Sequence, residues 1–161
     1  MKDHASQHSP DALHYRRLIW MLLLSFISMY VLMYSMVDRL QSVYMNINQV
    51  YMAGLMTAPM ALIELAVMAA MYPNRKLNAI VAVSSAAALA LCWTLIRQQT
   101  AVSDAQFLRS MIPHHAGAIL MCNEASIQHV EIRTLCQSIV AGQQREIDQM
   151  RAMLNDLSRT P

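Results

Sequence analysis

Residues 111–122 read Met-Ile-Pro-His-His-Ala-Gly-Ala-Ile-Leu-Met-Cys. On a helix, positions 111, 114, 115, 118, 121 and 122 fall on one face, because residues three, four and seven apart stack above one another. Met111, His114, His115, Met121 and Cys122 then form one stripe of thioether, imidazole and thiol. Such donors suit Cu(I), and Ag(I) by the same softness; they do not suit Mg2+ or Ca2+. The chemistry expected of the stripe is binding of a soft metal ion. The bland alternative is that methionine is an apolar filler, and that reading is preferred for most of the 15 methionines in the chain.

The stripe needs helices to hold it. Ser103 followed by Gln106 matches a capping box and predicts a helix start. Phe107, Leu108, Met111 and Ile112 supply its apolar contacts, and Pro113 predicts either a kink or a new helix with proline in its first turn. A break is expected over about Asn123 to Val130, then a last helix from about Glu131 to Leu157. The apolar and semi-polar face of that helix carries Ile132, Leu135, Cys136, Ile139, Gln143, Glu146, Ile147, Met150, Met153, Leu154 and Leu157.

Two helices joined by a short turn pack antiparallel, so with a turn near residue 128 the paired positions sum to about 256. This register places His114 near Gln143, Met121 near Cys136, and Cys122 beside Cys136, with Met150 and Met153 opposite Phe107 and the residues before it. The candidate ligands are His114, His115, Met111, Met121, Met150, Cys122, Cys136 and Met153. Met150 and Met153 fit core packing better than ligation at this spacing. Cys122 and Cys136 have three readings, as a disulfide, as metal thiolates or as buried free thiols, with the disulfide preferred. Glu146 reads as a solvated or paired residue.

The rest of the chain reads as an anchor. It is 56% apolar, has a mean hydropathy of +0.30 and is only 14% charged, against about 25% in soluble domains. The 3 glycines and 5 prolines leave little for tight hairpins, so helices are expected throughout. Net charge is +2 with scattered basic residues, which gives no footprint for nucleic acid. Apolar runs at about Leu18 to Val37, Ile47 to Tyr72 and Leu77 to Ile96 are each long enough to cross a bilayer. The first lacks the short core and cleavage site of a signal peptide, so it is expected to stay as an anchor. Lys2, Arg16 and Arg17 before the first span, and Arg75 and Lys76 between the second and third, put the N-terminus and that turn in the cytoplasm. The C-terminal part is then outside, in the periplasm of a bacterium.

The expected fold is all-α: a tail over 1–17 without fixed structure, a three-helix transmembrane anchor over 18–98, and an extramembrane antiparallel hairpin over 99–161. The tail carries His4, His8 and His14, which the topology keeps away from the hairpin. In the second span Met52, Met56, Met60, Glu64 and Met68 recur every four residues, followed by Met71. Helix packing explains the methionines; a mid-membrane carboxylate is a functional candidate by default.

The Met111–Cys122 segment, with Gln143, Glu146, Ile147 and Met150 in the pattern Gln-x-x-Glu-Ile-x-x-Met, resembles the domain of unknown function 305 family. Asp104 and Phe107 match the residues that precede the histidines in that pattern, whereas Ala116 stands where the family usually has Gln. The resemblance covers about residues 100–157. It implies a bacterial protein related in fold to ferritin-like bundles, in a family where some members bind copper or silver in the periplasm. Larger members form a four-helix bundle, so this two-helix hairpin is expected to pair with a second copy as a homodimer or higher homo-oligomer. The resemblance also implies a place near metal-resistance functions and a metal-handling partner protein.

Taken together, the expectation is a non-catalytic, membrane-anchored binder of Cu(I) or Ag(I) that sequesters or delivers the ion. A di-metal oxidase needs Glu-x-x-His motifs, and none of Glu124, Glu131 and Glu146 stands three residues before a histidine. The alternatives are a subunit of a metal transport or efflux system using the Met stripe and Glu64, and a membrane scaffold without metal.

Overall fold

Proline at the first turn of a helix forfeits an N–H that has no partner there anyway, and Pro10 opens α1 (Pro10–Leu32) in the computed structural model. The structure describes residues 10–159; His4 and His8 lie outside them. Four further helices follow: α2 (Ile47–Val67), α3 (Arg75–Gln98), α4 (Asp104–Glu124) and α5 (Val130–Arg159). Among the described residues there is no strand, so the all-α expectation holds. The helix reaches eight residues further toward the N-terminus than expected, taking in 10–17, because Tyr15 and Leu18 are buried in a small cluster with Tyr72. Packing of this kind, more than propensity, decides where a helix begins.

The chain divides into two compact units, the first formed by residues up to Tyr30 together with Tyr51–Gln98. Its three helices are long and apolar enough to cross a membrane by length and composition, over Leu13–Met36, Ile47–Val67 and Arg75–Gln98. In α2 the buried positions are Ala53, Thr57, Ala58 and Ala61, so small residues make the close approach, as they do where dispersion rather than hydrophobicity drives packing. Gly54 belongs to the same face: a Cβ there would stand 2.8 Å from the Cys92 sulfur. The methionines expected to pack instead cover the outside, with Met52, Met56, Met68 and Met71 all exposed.

One end of this unit is tied by a polar knot. The Tyr15 hydroxyl donates to Asn78 Oδ1 at 2.6 Å, Asn78 Nδ2 donates to the Tyr72 carbonyl at 2.8 Å, and the Tyr72 hydroxyl donates to Glu64 Oε1 at 3.1 Å. Glu64 therefore has a hydrogen-bond partner in the turn after its own helix.

The second unit joins Val31–Val50 to residues from Gln99 onward. The boundary between Gln98 and Gln99 falls where the expected hairpin begins, while residues 31–50, expected to group with the three apolar helices, group with the hairpin. Hydrogen bonds explain why. Ile47 N–H donates to Gln106 Oε1 at 3.0 Å, Arg151 donates to Ser42 Oγ at 3.0 Å, and Val37 and Tyr44 pack against the hairpin core. The segment carries two short 3-10 turns, Met33–Met36 and Leu40–Ser42, and lies over α4 as a strap.

The hairpin core is Leu108, Ile112, Ala116, Ile119, Ile147 and Met150. Ser103 caps α4 as expected, its Oγ accepting from Gln106 N–H. Pro113 neither breaks nor restarts the helix: α4 runs through it, with Pro113 buried between Ile112 and Ala116. Tertiary burial of this face outweighs the one lost hydrogen bond.

The two hairpin glycines make opposite predictions. Gly142→Ala in α5 meets nothing within 4 Å and is expected to raise stability by about 1 kcal/mol, the helix-propensity difference. Gly117→Ala gains the same propensity, but its Cβ would stand 3.2 Å from the Met36 carbonyl of the strap. Thermal melts should rank Gly142→Ala above both wild type and Gly117→Ala; equal gains from the two would remove the strap from its place over Gly117.

Candidate metal-binding site

The antiparallel hairpin sets the site. Cys122 near the end of α4 and Cys136 in the second turn of α5 form a disulfide with Cα atoms 5.3 Å apart. Of the three readings of this pair, the structure holds the disulfide. Their sulfurs are thus bonded to each other and not available as thiolates.

From that tie the helices run toward the histidines in a register shifted by about one turn from the expected one. His115, not His114, meets α5, and it meets Glu146 rather than Gln143: Nε2 lies 2.8 Å from Glu146 Oε2. The other ring nitrogen, Nδ1, lies 2.9 Å from the Met111 carbonyl one turn earlier. Both partners are acceptors. A ring holding both bonds as donor is the imidazolium, while a neutral ring donating from Nδ1 presents a lone pair at Nε2. Anchoring one nitrogen on a backbone carbonyl is the way proteins fix the tautomer and aim of a ligating histidine. The His115 side chain is 12% exposed and that of Glu146 57%, so the ring is held inside and the carboxylate reaches solvent.

His114 is exposed, and its ring centroid is 6.1 Å from that of His115 at an edge-on angle. Successive helical residues diverge by about 100°, so one imidazole turns inward and the other outward. The methionines separate as well. Met111 is half-buried against the core, Met150 is buried within it, and Met121 and Met153 are exposed. Met153 lines a pocket of about 450 Å³ with Phe107, Leu108 and Leu157, which bears out its expected place opposite Phe107. Met150 is a packing residue of this core. Among the described residues, no three His, Cys, Asp or Glu side chains form a group able to hold an ion within one chain.

Sequence reasoning left Glu146 as solvated or paired and did not assign it to the site. The only hint was its place in the α5 stripe facing the histidines. It missed the strap altogether, since residues 38–46 carry neither a membrane run nor a helical period.

The family model for "Domain of unknown function (DUF305)" matches residues 36–154. That is wider than the stretch over 100–157 that the motifs carry, and it takes in most of the strap. "Uncharacterized protein L153" of Acanthamoeba polyphaga mimivirus is 36% identical over 63 residues, 38% of this chain and 41% of that one. The matched stretch thus spans about two-fifths of the relative's length. No solved structure matches the chain.

Proposed function

This chain belongs to the Domain of unknown function (DUF305) family, and on that premise we propose that it is a membrane-anchored binder of soft metal ions, Cu(I) or Ag(I), centred on His115 of the hairpin. The observation that carries the reading is the His115 ring, tied at Nδ1 to the Met111 carbonyl and aimed at Nε2 toward Glu146. Imidazole suits copper, and the exposed thioether of Met121 on the same helix suits a soft ion. The carboxylate of Glu146 offsets the positive charge of a cation arriving at Nε2.

The same reading includes an orientation. The N-terminus and the Arg75 turn face the cytoplasm, and the hairpin faces the periplasm of a bacterial inner membrane. The Cys122–Cys136 disulfide supports this side for the hairpin, since disulfides persist in oxidising compartments. Sequestration or hand-over to a metal-handling partner protein fits a site on the surface rather than in an enclosed active-site cavity. No catalytic step is assigned.

The test is an anaerobic titration of the detergent-solubilised full chain with Cu(I) and Ag(I) against a competing chelator. Wild type should compete, and the His114→Ala/His115→Ala double variant should not. A wild type that fails to compete, or a double variant that binds as well as wild type, would remove the metal reading. Binding lost in Met56→Ala/Met60→Ala but kept in the histidine variant would move the function into the membrane spans.

A further inference from the structure

Among the described residues, the hairpin leaves one face without a partner. On α4, Phe107, His114 and Met121 are spaced seven residues apart, and all three are exposed. On α5, Ile139, Glu146 and Met153 have the same spacing; Glu146 and Met153 are exposed and Ile139 half-buried. Residues seven apart drift by only about 20° on a helix, so each trio is one straight stripe. The stripes are neighbours: Phe107 and Met153 line one pocket, and Glu146 meets His115 next to His114. Together they make an apolar surface with a polar centre, Phe107 and Met153 at one end, Met121 and Ile139 at the other, His114 and Glu146 between.

A seven-residue repeat on both helices of an antiparallel pair is the pattern by which helices pack into a four-membered bundle. The face also suits itself. Under a two-fold axis through its centre, apolar ends meet apolar ends, and imidazole meets carboxylate. The centre of the face is unfinished among the described residues of one chain, because His115 and Glu146 supply two donors, His114 turns away from them, and no group of three forms there.

We propose that a second copy of this chain covers the face, and that each metal site is shared: His115 and Glu146 come from one chain and the third ligand is the partner's His114. The proposal rests on the metal-binding reading above and names what completes that site. His114 then has a function that its outward direction denies it in a single chain. The ends of the face, Phe107 with Met153 and Met121 with Ile139, hold the two copies together.

A complementation experiment tests the sharing directly. His114→Ala and His115→Ala chains, carrying different tags, are co-expressed, and the mixed dimer is purified in nanodiscs. Ag(I) uptake is then measured at a chelator-buffered concentration. Each variant alone lacks every intact site. A mixed dimer with shared sites regains one intact site and should bind half as much Ag(I) per chain as wild type. A mixed dimer that binds none, beside a wild type that binds, places both histidines in the same chain's site and overturns the inference while leaving the metal reading intact. A wild type that binds no Ag(I) sinks the metal reading itself.

Phe107→Asp gives an independent check, since the side chain is exposed in the single chain. It should turn a dimeric wild type into a monomer and weaken Ag(I) binding at least tenfold. A wild type that is monomeric across a wide concentration range, with lipid or another protein on this face, or a Phe107→Asp chain that dimerises and binds like wild type, would overturn the proposal.

Discussion

Replacing Ile147 by alanine is expected to destabilise the hairpin by about 2–5 kcal/mol. Ile112 and Ile147 are the largest side chains that the structure buries completely, one from each helix, and they lie in the same six-residue core. A core this small has little spare burial, and the surrounding helices cannot close a cavity without moving Ala116 or Met150 off their contacts. The disulfide is the next support. It closes a loop with a sequence separation of 14, for which chain-entropy reasoning gives roughly 3 kcal/mol. Val130→Ala, at a position 72% exposed, should change stability by less than about 0.5 kcal/mol. Chemical denaturation of the full chain in mild detergent, followed by helical circular dichroism, orders the three changes. If Ile147→Ala falls no further than Val130→Ala, the core is not at this helix pair.

That core was legible in part, since Leu108, Ile112, Ile147 and Met150 lie in it while Phe107, Ile132, Leu135 and Leu157 of the expected faces are exposed, and the strap was not legible at all. Period-3.6 patterns and caps are local properties, and they placed Ser103, the break before α5 and all three apolar spans close to where they stand. Of the two readings of Pro113, a new helix start is ruled out because α4 runs through it, with Ile112, Pro113 and Ala116 buried on this turn. Burial also moved the start of α1, through Tyr15 and Leu18 meeting Tyr72 in a contact more than fifty residues away in sequence. The strap of residues 31–50 is held by long-range pairs, Ile47 with Gln106 and Arg151 with Ser42, which no local window contains.

The site was half legible for a related reason. Helical spacing put Met111, His114, His115, Met121 and Cys122 on one strip, and hairpin geometry put Cys122 beside Cys136. A strip is wider than a ligand set, however. The rotation of α4 decides which side chains turn in, and it turns His115 inward, His114 outward and the Met111 side chain onto the core. A shift of about one turn in register then exchanges Gln143 for Glu146 as the partner across the hairpin. The methionines of α2 were misplaced by rotation too. Their four-residue repeat is real, but alanines and Thr57 take the packed side.

Loading the hairpin with Cu(I) or Ag(I) is expected to release protons, and His115→Ala is expected to weaken binding by at least about a hundredfold. Between Nε2 and Glu146 Oε2, 2.8 Å apart, a proton must sit on one atom or the other, since two lone pairs at that distance repel. On the metal-binding reading, a ring that donates from Nδ1 to the Met111 carbonyl leaves Nε2 to ligate, and a proton shared with Glu146 has to leave when an ion takes its place. Binding should therefore weaken as pH falls, because protons and metal compete for the same lone pair. Titration in weak buffer with a pH electrode measures the released protons directly. Wild type should release protons as the ion binds, because a ligating nitrogen must be deprotonated. Glu146→Ala leaves Nε2 without its acceptor, so a neutral ring gives up no bridging proton on loading, and the release should shrink even where some binding persists. Tight binding by the wild type with no proton release would show that the ion sits elsewhere, on the exposed thioethers, and that the His115–Glu146 pair is a structural link between α4 and α5.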